Sequence, residues 1–413
     1  MACDQYTQDR EYWKKAQSAT EGFPSALNLI FPEVYLNDED KAERILKIKE
    51  TMQEYISSGV FDEAKRQMVY IERTTAYGRV RKGLVCALDL DSYEWKPFSS
   101  ALTRATEATI LERIPPRMEI RRGAPLELPH IMLLADDPKG LLLEALAKKI
   151  HARKDAPIYS GNLMQKSGSI KGWTVNSDDD LKSVEGALQE LYKAGTKDGD
   201  SFLFAVGDGN HSLATAKAVW EEEKKRLQER GASQEEIQNS QVRFALVEIV
   251  SIYDQGLTFE PIHRVVFSAD FSALIDFLRQ KLDGQIVEQN SEADLESAVK
   301  NSTADFGFYF KDGSNKKILL LKTKITDLAV SRIQPALDDF VKTQSETKID
   351  YIHGADEIFR LGSKDGALGI LLPPVAKDSF FDTIARRGPL PRKSFSMGEA
   401  SEKRFYLEAR RLF

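Results

Sequence analysis

From residue 202 the chain reads Phe-Leu-Phe-Ala-Val, then Gly207-Asp208-Gly209-Asn210-His211-Ser212, then Leu-Ala-Thr-Ala-Lys. An apolar run of strand length that meets two glycines and then an alanine-rich stretch predicts a buried strand, a tight turn and a helix from about Ser212 to Glu229. This is the clearest strand-turn-helix unit in the chain, and it points to an α/β fold of mixed α and β elements. The glycines allow close backbone approach, and the first amides of the helix point outward with the positive end of its dipole behind them. Such a turn is a phosphate cradle. In it Asp208 can hold a metal or orient a neighbour, Asn210 and Ser212 can donate hydrogen bonds, and His211 can bind a phosphate oxygen or transfer a proton. The same residues also suit a plain helix start, with Asp208 or Asn210 as cap and His211 as a satisfied interior residue.

Around this unit the apolar periodicity predicts further elements. Asp38 or Asp40 can cap a helix that runs to about Ser57, and the segment before it, with Pro24 and Pro32, reads as an irregular arm. Residues 69–73 and 84–90 read as paired strands, 138–151 as a helix, 158–175 as a hairpin, 181–194 as a helix behind Asp178, and 242–252 as a half-buried strand. Beyond Gly256 come a strand at 265–267, a helix at 271–282, a hairpin around Asp312-Gly313-Ser314 and a helix at 328–341. The expected organisation is a lobe at 1–255 that carries the turn and an α+β lobe at 256–413 that contributes to the same cleft.

Three other features hold chemistry in reserve. Residues 99–129 crowd Arg104, Glu107, Glu112, Arg113, Arg117, Glu119, Arg121 and Arg122 among Pro115, Pro116 and Pro125. That makes a poor helix or strand, and it suits either a functional loop or a solvated charged one. Of five histidines, His263 in Pro-Ile-His-Arg264 and His353 in Tyr-Ile-His-Gly354 stand at strand ends beside polar residues or glycine, whereas His130 and His151 read as incidental. Near the end, Arg387, Arg392 and Lys393 flank prolines that hold the chain extended, an arrangement for a phosphate or carboxylate or for a basic surface strand.

Composition excludes several classes. A chain of 413 residues with 42% hydrophobic and 30% charged residues is globular and too long for one small domain. Its net charge of -6 opposes a general nucleic-acid binder. The longest apolar runs fall far short of the roughly 20 residues of a membrane span, and the first residues lack a secretory pattern, so a cytoplasmic protein is expected. Cys3 and Cys86 have no metal-ligand spacing and read as reduced thiols. No Walker A pattern, dinucleotide fingerprint, nucleophile elbow or His-Glu-x-x-His is present; Gly362-Ser-Lys-Asp-Gly366 has the wrong spacing. Oligomeric state is open.

Taken together, Arg104-Ala-Thr-Glu107-Ala-Thr109, Gly207-Asp-Gly-Asn-His211, Pro261-Ile-His-Arg264, Tyr351-Ile-His-Gly354 and Leu390-Pro-Arg-Lys-Ser-Phe-Ser396 resemble the bacterial domain-of-unknown-function family numbered ten-fifteen. The glycine turn is similar to the Asp-Gly-His-His-Arg signature of the ParB, sulfiredoxin and free-serine-kinase group, in which the turn holds nucleotide phosphates. The resemblance implies a ParB/sulfiredoxin-like core with a second lobe. Asn210 and Ser212 stand where that signature has His and Arg, so the missing cation must come from Arg104, Arg264 or Arg392. Sulfiredoxin chemistry needs a cysteine in the turn, and none is there. The serine-kinase resemblance implies a phosphotransferase that uses ATP or ADP and Mg²⁺ on a small hydroxylated metabolite such as free serine. Glu107 is then the base, Asp208 the metal ligand or positioning group, and His211 a third catalytic residue. The nucleotide contacts are Gly207, Gly209, Asn210, Ser212, Arg104, His263, Arg264, His353, Arg392 and Lys393. Two rivals share the cradle: a phosphatase of phosphoserine-like monoesters, and a nucleotide-responsive regulator without turnover.

Overall fold

The computed structural model describes residues 2–3, 5–128, 131–344, 346–398, 400–403 and 407–412; His130 lies outside them. The chain forms two compact units. Unit 1 takes the chain up to Leu257 and again from residue 399, and unit 2 takes Thr258–Gly398. The tail beyond 399 therefore belongs to unit 1 rather than to the second lobe, because its contacts run there: Arg410 donates to Glu127 at 2.7 Å, and residues Arg410–Arg411 pair with Leu126–Glu127.

In unit 1 helix α1, Arg10–Ala19, stands where an irregular arm was expected. Asp9 accepts from the amide of Tyr12, and Trp13 and Ala16 are buried, so one cap and two tertiary contacts make the helix; both prolines lie beyond it. Helix α2 spans Lys41–Ser57. The sheet of unit 1 is built from β1 (Met68–Thr74), β2 (Val80–Asp89), β3 (Tyr93–Glu94), β4 (Thr103–Ala105), β5 (Met132–Ala135), β6 (Tyr159–Asn162), β7 (Ser169–Val175), β8 (Phe204–Asp208) and β9 (Phe244–Ser251). Its order is β3-β4-β8-β5-β9-β2-β1-β7-β6. Within it β8 runs parallel to β4 and antiparallel to β5.

The charged, proline-rich stretch is structured. Helix α3, Ile114–Arg121, carries Pro115 and Pro116 in its first turn, where a missing N–H breaks no helical bond. Its charges pair off across the unit: Arg117 with Glu33 at 2.5 Å, Arg121 with Glu127 at 2.6 Å and, just beyond its end, Arg122 with Glu222 at 2.7 Å. Helices α4 (Leu143–Arg153) and α5 (Asp178–Ala194) follow, and α6, Asn210–Glu229, packs along α3. The small Ala214 and Ala216 are fully buried in the early turns of α6, which lets its N-terminal end lie close to the core beside Leu213 and Trp220.

Unit 2 is a six-stranded sheet of β10 (His263–Phe267), β11 (Gln285–Glu288), β12 (Phe306–Asp312), β13 (Asn315–Lys322), β14 (Lys348–Ile352) and β15 (Ala367–Leu371), in the order β11-β13-β12-β15-β10-β14. The chain enters and leaves it side by side: Phe259–Pro261 pairs with Phe395–Met397, and the amide of Gly398 donates to Thr258 at 3.0 Å. Among the described residues no helix is long and apolar enough to cross a membrane.

Candidate functional site

Strand β8 is buried through Phe204, Ala205 and Val206 and ends at Asp208. Gly209 then caps α6 with φ 84° and ψ 27°, a left-handed backbone that suits glycine because a Cβ would be strained there. Of the two glycines of the turn, only Gly209 has this conformation. The helix starts two residues earlier than expected, at Asn210, since this one residue reverses the chain direction. Neither Asp208 nor Asn210 caps it: the cap is a glycine without a side-chain bond, so no cap side chain covers the first amides of α6.

The turn holds a second loop. The side chain of Asn210 is buried; its Oδ1 accepts from the amide of Thr106 at 3.1 Å and its Nδ2 donates to Thr106 Oγ1 at 3.2 Å. Thr106 Oγ1 in turn donates to the carbonyl of Val206 at 2.6 Å. Four residues on, the amide of Ile110 donates to His211 Nε2 at 3.2 Å. Glu107 thus sits on a loop fixed at both ends to the first two residues of α6. An Nε2 that accepts is unprotonated, which keeps the imidazole proton on Nδ1. His211 and Asn210 so position the Glu107 loop, and the side chain of Asn210 is engaged by Thr106 rather than held ready as a ligand donor. Ser212 is buried beside them.

Asp208 is partly exposed, and its Oδ2 lies 3.4 Å from Lys403 Nζ. Among the described residues no three His, Cys, Asp or Glu side chains gather as a metal-ligand set. A Mg²⁺ that arrives with phosphates needs only one or two protein carboxylates, and Asp208 fits that part. Arg104 is differently placed. On β4 its guanidinium is buried, pairs with Asp200 at 2.5 Å, donates to Ala101 at 2.9 Å and to Ser201 at 3.2 Å, and covers Phe202. Those partners lie at the start of β8, whereas the turn is at its end, so the Arg104 charge is spent within the fold.

The remaining predicted residues are in unit 2. His263 is paired in register with Ile352, next to His353, and Arg264 with Tyr351. His263 Nδ1 accepts from the amide of Leu372 at 3.1 Å, and burial, with Arg264 and His353 nearby, pushes its pKa down to about 4. Arg264 is fully buried, donates from Nε to Gln334 at 2.9 Å, and lies over Tyr351; burial lowers its pKa to about 10. These two are scaffold. Arg392 and Lys393 are exposed on the turn whose Ser394 carbonyl accepts from Ile262, so they adjoin the start of β10. At that end of unit 2 His353 lies near His263, and Arg392 and Lys393 lie on the turn that bonds to Ile262.

Two participants escaped the sequence: Thr106, whose motif was visible but whose bond to Asn210 was not, and Lys403, with no local signal. Cys86 is a free thiol pushed up to about 12 by burial, hence protonated and inert at neutral pH.

A family described as "Protein of unknown function (DUF1015)" matches residues 1–340. No curated protein matches the chain. Among solved structures, a free serine kinase variant in complex with AMP is similar at a TM-score of 0.38 and 10% identity, over 78% of this chain and 88% of its own. A conserved hypothetical protein from Pyrococcus furiosus has a TM-score of 0.37 and 11% identity, over 80% and 97%. A C-terminally truncated SbnI from Staphylococcus aureus has 0.36 and 9%, over 76% and 83%.

Proposed function

The chain belongs to the DUF1015 family of proteins of unknown function, and from that premise we propose that it is a nucleotide-dependent phosphotransferase acting on a small hydroxylated metabolite, free serine being the first candidate. The observation that carries this reading is the left-handed Gly209 at the start of α6, with the Glu107 loop hydrogen-bonded to the next two residues. A helix start of this kind suits phosphate oxygens, and a carboxylate on the loop bonded to it suits a proton acceptor.

The chemistry is an in-line displacement. The acceptor hydroxyl oxygen forms a bond to the terminal phosphorus of ATP or ADP, the bridging P–O bond breaks, and the shortened nucleotide leaves with that bond's electrons. The hydroxyl proton passes to Glu107. Asp208 would hold Mg²⁺, which when bound neutralises phosphate charge. Helix amides contribute only about half a unit of positive charge, so further cations are needed. His211 acts on the reaction through the Glu107 loop.

The test incubates the purified chain with ATP or ADP, Mg²⁺ and a serine-centred panel of hydroxyl metabolites, with products followed by mass spectrometry. A phosphorylated metabolite is expected. Glu107→Gln should slow turnover about a hundredfold or more at similar nucleotide affinity, while Asp208→Ala should also weaken metal–nucleotide binding. Nucleotide binding without any product would favour a regulator. Phosphate release from phosphoserine without nucleotide would favour a phosphatase.

A further inference from the structure

The turn Gly207–Ser212 carries no arginine or lysine, and Arg104 is committed to Asp200. A cation nevertheless reaches it, from the far end of the chain. Lys403 closes a short 3-10 turn, Ala400–Lys403, and its ammonium lies 3.4 Å from Asp208. That distance is longer than a tight N–H···O bond, so an ammonium with three donors keeps capacity for another acceptor.

The two residues just before Lys403 are clamped by three arginines of β1, β2 and the turn between them, two on backbone carbonyls and one on a carboxylate. Arg73 donates to the carbonyl of Ser401 at 3.2 Å, Arg81 to the carbonyl of Glu402 at 2.9 Å, and Arg79 to the carboxylate of Glu402 at 2.7 Å. Arg73 and Arg81 are almost fully buried, and Arg81 is itself held by Glu248 at 3.1 Å. Three guanidiniums spent on two consecutive residues fix where the third one starts. The side chain that leaves this clamp is a lysine, and it ends on the one carboxylate of the glycine turn.

Resting on the phosphotransferase reading, we propose that Lys403 is the phosphate-binding cation of the site, delivered to the Gly209 turn by the returning C-terminal segment and held ready by Asp208. On binding, the ammonium shares its donors between Asp208 and a phosphate oxygen. The arginine that the related signature carries inside its turn is thereby replaced from another part of the chain.

Calorimetry on the full chain tests this, with ADP, ADP plus Mg²⁺, and adenosine as probes, for the wild type, Lys403→Met and Lys403→Arg. Loss of one charge-assisted phosphate contact should weaken ADP about ten- to hundredfold in Lys403→Met. Adenosine affinity and melting temperature should stay as in the wild type, and Lys403→Arg should recover most of the loss. Unchanged ADP affinity in Lys403→Met would overturn the role of Lys403 and leave the phosphotransferase reading standing. Equal loss of ADP and adenosine binding would also overturn it, by marking Lys403 as structural. A wild type that binds none of the three probes would overturn the nucleotide reading itself, and this assignment with it.

Discussion

His263 shows how residue chemistry separates scaffold from site. Its imidazole is buried, accepts the Leu372 amide, and titrates near 4 instead of 6.5. The folded chain therefore refuses a proton that the unfolded chain takes up as pH falls below about 6.5. Its contribution to stability is full above that value and is lost progressively between about 6.5 and 4, by up to about 3 kcal/mol. Hydrogen exchange of the β10 amides at pH 7.5 and 4.5 should show this loss, and His263→Asn, which keeps an acceptor without the titration, should flatten it. At this scale the sequence made the Gly207–Ser212 turn legible, because an apolar run and two glycines mark it locally. It could not find that Arg104 is neutralised by Asp200, that Asn210 is turned to Thr106, or that Lys403 meets Asp208. Each of these pairings joins residues about a hundred or more positions apart, and a side chain's free valence is decided by its partner in space.

Elements were legible where periodicity is local. The strands around Tyr77-Gly78, the helix before Gly59 and the strand-turn-helix unit lie near their expected places because alternation, caps and glycines mark them directly. α1 and α3 were missed: the first depends on the burial of Trp13, and the second hides its start behind two prolines that a helix tolerates only there. Arg104, Arg117 and Arg121 of residues 99–129 are likewise fastenings, each buried in an ion pair, while Glu112 and Arg113 are exposed. Such buried pairs set a clear expectation for the β1–β2 hairpin. Arg81→Met leaves Glu248 uncompensated among buried atoms and should lower stability by about 3–5 kcal/mol in denaturant titrations, with Arg81→Met/Glu248→Leu recovering much of it. Both variants should also weaken ADP binding, because the Arg81 bond to the Glu402 carbonyl, one of the three arginine contacts that fix the start of Lys403, is lost.

For the whole molecule, a boundary at 255/256 was the expectation, and the two units are the chain up to Leu257 with the segment from 399, and Thr258–Gly398; the return of the tail was not expected, since Glu402 and Arg410 declare their partners only in the folded chain. Unit 2 is thus inserted between two segments of unit 1, and the Gly209 turn, the Glu107 loop and Lys403 all belong to unit 1. One determination therefore reads the whole site: a crystal structure of the chain with ADP and Mg²⁺. Phosphate oxygens are expected within hydrogen-bond distance of the first α6 amides, with Mg²⁺ against Asp208 and the Lys403 ammonium on a phosphate oxygen. ADP bound elsewhere, with the Gly209 turn and the Asp208–Lys403 pair untouched by phosphate, would contradict this expectation.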